Sequence, residues 1–228
     1  MSLRSKHHRL ERFLILERTA MQHIAKHGVY GLRVHFLAKE LGYTTAALYR
    51  YYPSKEALIA ALQKKSLVLL QTSLLNLQAQ AHSFNSTAKI LLTTRFYASY
   101  AQNSPASFAL NSSVFSHPTN LLHGEQRAQI ISSMKQLLVG VQKQLEGCIT
   151  GATFEHAIGL WSALHGAMLT QKYHNDLPIP SPEFIVTSLL CAWGVSPSAI
   201  RQAQQALNEF STHTPLSHFS QLDSLELK

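Results

Sequence analysis

Between Thr44 and Lys55 the chain sets out Thr44, Thr45, Tyr49, Arg50, Tyr51 and Lys55. These hydroxyl, guanidinium and ammonium groups bond phosphate oxygens and the edges of bases. Arg50 suits either a bidentate pair with guanine or a clamp on a phosphate, and the spacing leaves both open. Lys55 falls in the first turn of a helix, where a cation opposes the helix dipole at a cost of a few tenths of a kcal/mol. A phosphate oxygen at that place would reverse the sign.

Such side chains need short, rigid elements to present them. Leu37, Ala38 and Leu41 make the apolar stripe of one helix, over about 34–41. Gly42 ends it, because glycine takes the left-handed backbone that other residues resist. Thr44 caps a second helix of about two turns, to about Tyr51, with Ala46 or Ala47 and Leu48 facing inward. Pro53 closes it and Ser54 caps a third. Two helices joined at a glycine, the second short and exposed, form a helix-turn-helix, whose second helix is sized for a DNA major groove.

This stretch resembles the amino-terminal DNA-binding domain of the tetracycline-repressor (TetR) family of bacterial transcription regulators. The resemblance is carried by Gly28, Leu37-Ala38, Leu41-Gly42, Leu48-Tyr49, Tyr52 and the run Ser54-Lys55-Glu56-Ala57-Leu58. It covers about the first quarter of the chain. It implies a DNA-facing set of Arg33, Thr44, Thr45, Ala46, Tyr49, Arg50, Tyr51 and Lys55. Within that set Thr45 and Tyr51 are base-edge readers, Tyr49 and Lys55 phosphate contacts, and Tyr52 an aromatic core residue. Two positions depart from the family. Arg33 stands where a threonine usually opens the helix, and His23 where an aliphatic residue is common.

The charge distribution agrees with that expectation. The 228 residues carry 20 Lys or Arg and 12 Asp or Glu, for a net charge of +8. All of the excess lies in residues 1–65, and the rest of the chain balances. That is the footprint of a nucleic-acid-binding module joined to a neutral partner. The basic segment Met1 to His8 would lie along phosphates, enter a minor groove or remain a solvated tail. There is no unbroken apolar run of membrane-spanning length. The amino terminus lacks the apolar core of a signal peptide. A cytoplasmic protein with no membrane partner is expected, and Cys148 and Cys191 are expected to be reduced core residues.

The first helix is expected over Arg9–His27, with Leu10, Phe13, Leu14, Leu16, Ala20 and Ile24 inward and Glu11, Arg12, Glu17 and Arg18 outward. Gly28 stops it. The helix after Ser54 should run to about Ala81, past the end of a DNA-binding domain at residues 1–54 and into a second domain at 55–228. Helices follow over about 86–102, 105–115, 125–148 and 153–174. Ser181-Pro182-Glu183 is a strong start for the next, which Gly194 ends, and Ser196-Pro197 opens the last, to about Phe210. The fold expected is all-α, with nine to ten helices.

From Phe96 to Gly124 no formally charged residue occurs. Aromatic and amide side chains there suit a small-molecule cavity or a hydrogen-bonded helical core. Tyr97, Tyr100, Phe108, Asn111, Phe115, Trp161 and His165 are the pocket candidates, with Arg95 at the edge as partner for an anion. Trp161 and His165-Gly166 resemble a TetR subgroup marked by Trp, three residues, then His-Gly. The family also implies a homodimer through its last two large helices. Gly159 and Ala163 would allow close helix approach there, and Ile185, Leu189 and Trp193 would supply apolar surface. The resemblance implies a palindromic DNA operator, usual repression and release by a small-molecule effector. A DNA-binding protein without such an effector, or a small-molecule enzyme, are the competing readings. For an enzyme, no metal-ligand spacing, phosphate loop or nucleophile elbow is present. No metal and no cofactor are expected.

Overall fold

The computed structural model describes residues 3–116, 124–173, 175–213 and 216. It is all-α, with no strand among the described residues. The order is α1 (Leu3–Gly31), α2 (Val34–Glu40), α3 (Thr45–Tyr49), α4 (Lys55–Gln80), α5 (Ser86–Asn103), α6 (Pro105–Ser116), α7 (Gly124–Glu146), α8 (Phe154–Thr170), α9 (Pro182–Ala192) and α10 (Pro197–His213). A 3-10 turn, Gln171–Tyr173, follows α8.

The described residues form two compact units. One takes in the chain to Leu70 and Ser104–Ile131; the other takes in Gln71–Asn103 and the chain from Ser132. In the first unit α1 buries Leu16, Ala20, Met21 and Ile24. At Gly28, φ of 70° and ψ of 170° break the helical path as expected. The inward arc of α1 differs from the apolar pattern. Leu10, Leu14 and Ile15 are exposed, whereas Glu17 is buried at 4% exposure. The helix is turned to bring Glu17 against two polar partners, which leaves the two leucines on a flank.

α6 packs against α1. It also meets α4 through polar groups. Gln63 donates from Nε2 to the Leu110 carbonyl at 2.8 Å and to Ser113 Oγ at 3.0 Å. Asn111 Nδ2 donates to Ser66 Oγ at 3.2 Å. α4 is long and apolar enough to cross a membrane by length and composition alone, yet half of that window is buried within the fold.

In the second unit α5 packs against α9 and α10, and α8 against α9. Ile90, Leu91, Phe96, Leu160, Leu164, Val186, Leu190 and Leu207 fill the interior. Phe84 meets Phe210 edge to face at 5.3 Å. Helix starts are capped as their sequences require. Ser181 Oγ accepts from the Phe184 amide at 3.1 Å, with Pro182 next to it. Ser196 Oγ accepts from the Ala199 amide at 3.2 Å. Gly194 ends the α9 segment at φ 95°. Cys148 is half-buried and Cys191 exposed, and both are free thiols. Exposure of Cys191 departs from the core role expected for it.

Ser181 serves one of the first-turn N–H groups that a helix leaves unbonded. Ser181→Ala should therefore lower stability by about 1 kcal/mol, read as a lower urea midpoint with an unchanged slope.

Candidate nucleic-acid interface

α3 is five residues long and is fixed from both ends. Thr44 Oγ1 accepts from the Ala47 amide at 3.1 Å, the cap that its position predicts. Leu48, at 3% exposure, is buried beside α2, whose Leu37 and Ala38 are buried too. Gly42 takes φ 68° between the two helices. Its neighbour Tyr43 donates its amide to the Ala38 carbonyl at 2.8 Å, closing the end of α2. Beyond α3 the amides of Tyr51 and Tyr52 both bond the Leu48 carbonyl, at 2.9 and 3.1 Å.

Thr44, Ala46, Tyr49 and Arg50 are exposed, and Thr45 and Tyr51 are half-buried. Of the two alanines it is Ala47 that turns inward. Arg33 is exposed at the N-cap of α2 and has no side-chain capping bond of its own. Lys55 opens α4. Both cations approach one acceptor, the Tyr30 carbonyl, Arg33 Nη1 at 3.3 Å and Lys55 Nζ at 3.4 Å. Burial and the nearby Arg33 charge hold the Lys55 ammonium below its ordinary pKa, against a smaller opposing pull from Glu56. Two cations crowded at two helix starts favour an anion between them.

Beside this face His23 and Glu40 tie α1 to α2 at 2.6 Å. His23 is half-buried, a border position as expected. The pair lines a surface cleft of about 790 Å³, together with His27, Arg33, Phe36 and Lys39.

The polar support under Tyr52 has only a faint signal in the sequence. Tyr52 is the core aromatic expected of it, and its hydroxyl donates to Glu17 Oε1 at 2.8 Å. Lys65 Nζ donates to Glu17 Oε2 at 3.0 Å. Burial, then the hydrogen bond to Glu17 and its charge, push the Tyr52 hydroxyl pKa well up. The Phe13 ring lies 5.1 Å from that of Tyr52 and 6.3 Å from that of Tyr51. That signal is Glu17 falling between Leu16 and Ala20 on the arc that α1 buries.

The pocket candidates divide between the units. Phe108 and Asn111 lie on α6 in the first, and both are buried. Phe115 is on the same helix, but its side chain lies outside the described residues. In the second unit Tyr97, His165 and Trp161 are brought together. The Tyr97 hydroxyl is 2.7 Å from His165 Nδ1, and the His165 ring stacks on Trp161 at 5.0 Å. Tyr100 is fully buried, with its ring 5.9 Å from that of Tyr97. Burial raises the Tyr97 pKa and lowers that of His165. Arg95 is engaged elsewhere: Nε and Nη2 bond the two carboxylate oxygens of Glu183 at 2.9 and 3.1 Å. Burial pushes the Glu183 pKa up, but bonds from Arg95 and Gln204 outweigh it and the net shift is downward.

Of the residues expected at a subunit contact, Gly159 is exposed, and Ala163, Ile185, Leu189 and Trp193 are half-buried. Within the chain a Cβ on Gly159 would stand 3.9 Å from Trp193, whose ring meets His156 edge to face at 5.0 Å. Ile158 and Phe184 are exposed on the same two helices, at 40% and 63%.

A capped five-residue helix after a left-handed glycine, with cations at the adjoining helix starts, defines a helix-turn-helix protein. Residues 16–62 match the family model described as bacterial regulatory proteins, tetR family. Over that stretch the chain is similar to that family. Solved structures show the same fold over most of its length. A putative transcriptional regulator from Saccharomonospora viridis in complex with choline is 16% identical at a TM-score of 0.60, with 90% of this chain and 97% of that one covered. AibR, in complex with isovaleryl coenzyme A and operator DNA, is 18% identical at 0.57, covering 81% and 100%. PfmR, a TetR family transcriptional regulator from Thermus thermophilus, is 20% identical at 0.54, covering 77% and 94%. No curated protein matches the sequence.

Because folding lowers the His165 pKa below 6.5, the unfolded chain binds more protons in the window just beneath that value. This contribution to stability is intact above about pH 6.5 and falls away as pH drops through the folded value. His165→Phe keeps a ring against Trp161 but cannot titrate. Between about pH 7.5 and pH 5.5 the variant should lose less stability than the wild type, as read from urea midpoints.

Proposed function

We propose that the chain is a homodimeric repressor that reads a palindromic operator and is released by a small-molecule effector. The observation that supports it best is the convergence of Arg33 and Lys55 on the Tyr30 carbonyl, beside the exposed face of α3. Phosphate oxygens would be held there by both cations. That contact would seat α3 in the major groove with Thr45 and Tyr51 at base edges, Tyr49 on the backbone, and Thr44, Ala46 and Arg50 alongside. Functionally the chain divides into a reading head at 1–54 and a ligand-binding and dimerisation domain at 55–228.

Dimerisation is assigned to α8 and α9, through Gly159, Ala163, Ile185, Leu189 and Trp193 with the exposed Ile158 and Phe184 beside them. Apolar side chains left bare on two adjacent helices suit a self-complementary contact. Two heads held at one separation would meet half-sites about one helical turn, or a multiple of it, apart. The effector site is assigned to the second unit, at Tyr97, Tyr100, Trp161 and His165. Tyr97, Trp161 and His165 give it aromatic walls with one hydrogen-bonded polar centre. Arg95 would reach an anionic ligand only by releasing Glu183. The similar folds bind choline in one case and an acyl coenzyme A in another. α4, continuous from Lys55 to Gln80, carries the response. An effector need favour the released state by only about 1–3 kcal/mol to change operator affinity by about 5–150-fold. A protein of this kind works in the cytoplasm, without a metal, a cofactor or catalysis.

Lys55→Ala should weaken binding to selected and unselected duplexes alike, and lower the slope of log affinity against log salt by about 0.9. Thr45→Ala and Tyr51→Phe should instead narrow the gap between the two duplexes. Fluorescence anisotropy over a salt series measures both. Equal behaviour of all three variants and wild type would remove these residues from the interface.

A further inference from the structure

Glu17 sits among three elements of the first unit, with Tyr52 beyond α3 and Lys65 on α4. Its carboxylate is almost wholly removed from water, at 4% exposure, and each oxygen has its own donor. Burying an ion pair is a weak route to stability, and apolar residues of like volume commonly serve as well or better. What an apolar trio lacks is direction. Hydrophobic contact tolerates rotation and slide, whereas two charge-assisted bonds to one carboxylate fix both partners in angle and distance.

Those partners are the elements whose relation matters for reading. Tyr52 follows Tyr51 directly, and its amide closes the end of α3 on the Leu48 carbonyl at 3.1 Å. Its hydroxyl therefore sets how the chain leaves α3, and with it the presentation of Arg50 and Tyr51. Lys65 lies on the helix that Lys55 opens, so its bond sets the seating of the phosphate-facing cation. One buried carboxylate thus relates a base-facing segment to a phosphate-facing one.

We propose that Glu17 is a positioning residue for sequence discrimination: through Tyr52 and Lys65 it holds the exit of α3 and the start of α4 in the one relation that lets base contacts and phosphate contacts form together. This rests on the DNA-reading role proposed above. It concerns specificity, and general affinity for DNA should not depend on it.

The test uses the full chain and a duplex enriched by the wild type from a random pool, beside an unselected duplex of equal length. Glu17→Met/Lys65→Met removes both charges at once and leaves net charge unchanged. The double variant should keep its thermal midpoint or gain, keep the salt slope, and bind the unselected duplex within about twofold of wild type. Its affinity for the selected duplex should fall about tenfold or more. Tyr52→Phe, which removes a single hydroxyl, should move the same ratio in the same direction by about threefold, and it decides the matter if the double variant does not fold. A folded double variant, or a folded Tyr52→Phe, that keeps the wild-type ratio of selected to unselected affinity overturns the positioning role. Failure of the wild type to enrich any duplex would appear before a variant is made, and would overturn the DNA reading and this role together.

Discussion

A helix of five residues cannot sustain itself in water, because closing its first turn fixes several backbone angles for one hydrogen bond. α3 exists because other parts of the first unit hold it. Leu48 anchors it by burial, Thr44 satisfies one of its open amides, and the amides of Tyr51 and Tyr52 close on the Leu48 carbonyl. Shortness has a use. Ala46 and Tyr49 are free to face a partner, and the orientation of the helix is set by the residues beneath it. The rest of the unit can be understood as scaffolding for that element. α2 supplies the apolar seat, α1 the floor under Tyr52, and α4 the Lys55 that reaches the Tyr30 carbonyl.

The electrostatics divide along similar lines. Excess positive charge is confined to residues 1–65. Within the interface Arg33 and Lys55 crowd one carbonyl, an arrangement that resists cations and favours an anion. In the second unit Arg95 and Glu183 cancel each other, and Tyr97 and His165 are buried together with their titrations pushed away from neutrality. The excess positive field therefore originates in one part of the chain. The remainder adds little field of its own and is suited to apolar and hydrogen-bonded recognition.

Much of this is legible in the sequence, because the signals are local. Gly28, Gly42, Thr44, Ser54, Ser181 and Gly194 act on backbone within a few residues of themselves, and helix limits fall within a few residues of expectation. The exposure of Ala46, Tyr49 and Arg50 is readable for the same reason: a short helix displays neighbours in sequence as neighbours in space. What sequence reading misses joins distant residues. Glu17 reads as solvated surface because its partners come 35 and 48 residues later. Arg95 reads as available because Glu183 lies 88 residues away. Leu10 and Leu14 read as core because apolar spacing alone does not say which arc a helix turns inward once a buried acid claims part of it. The packing of α6 on α1 has no local signal either, since helical pattern tells that a face is buried and not against what.

The carboxylate of Glu17 also bears on how such a chain can drift over generations. Losing Lys65 alone strands an acid in the interior, a costly step, whereas losing Glu17 leaves a half-buried lysine that still reaches water. Descendants should therefore shed the acid before the lysine or together with it, and seldom the lysine first. Tyr52 would follow them, free to shed its oxygen only in lineages where the acid has gone.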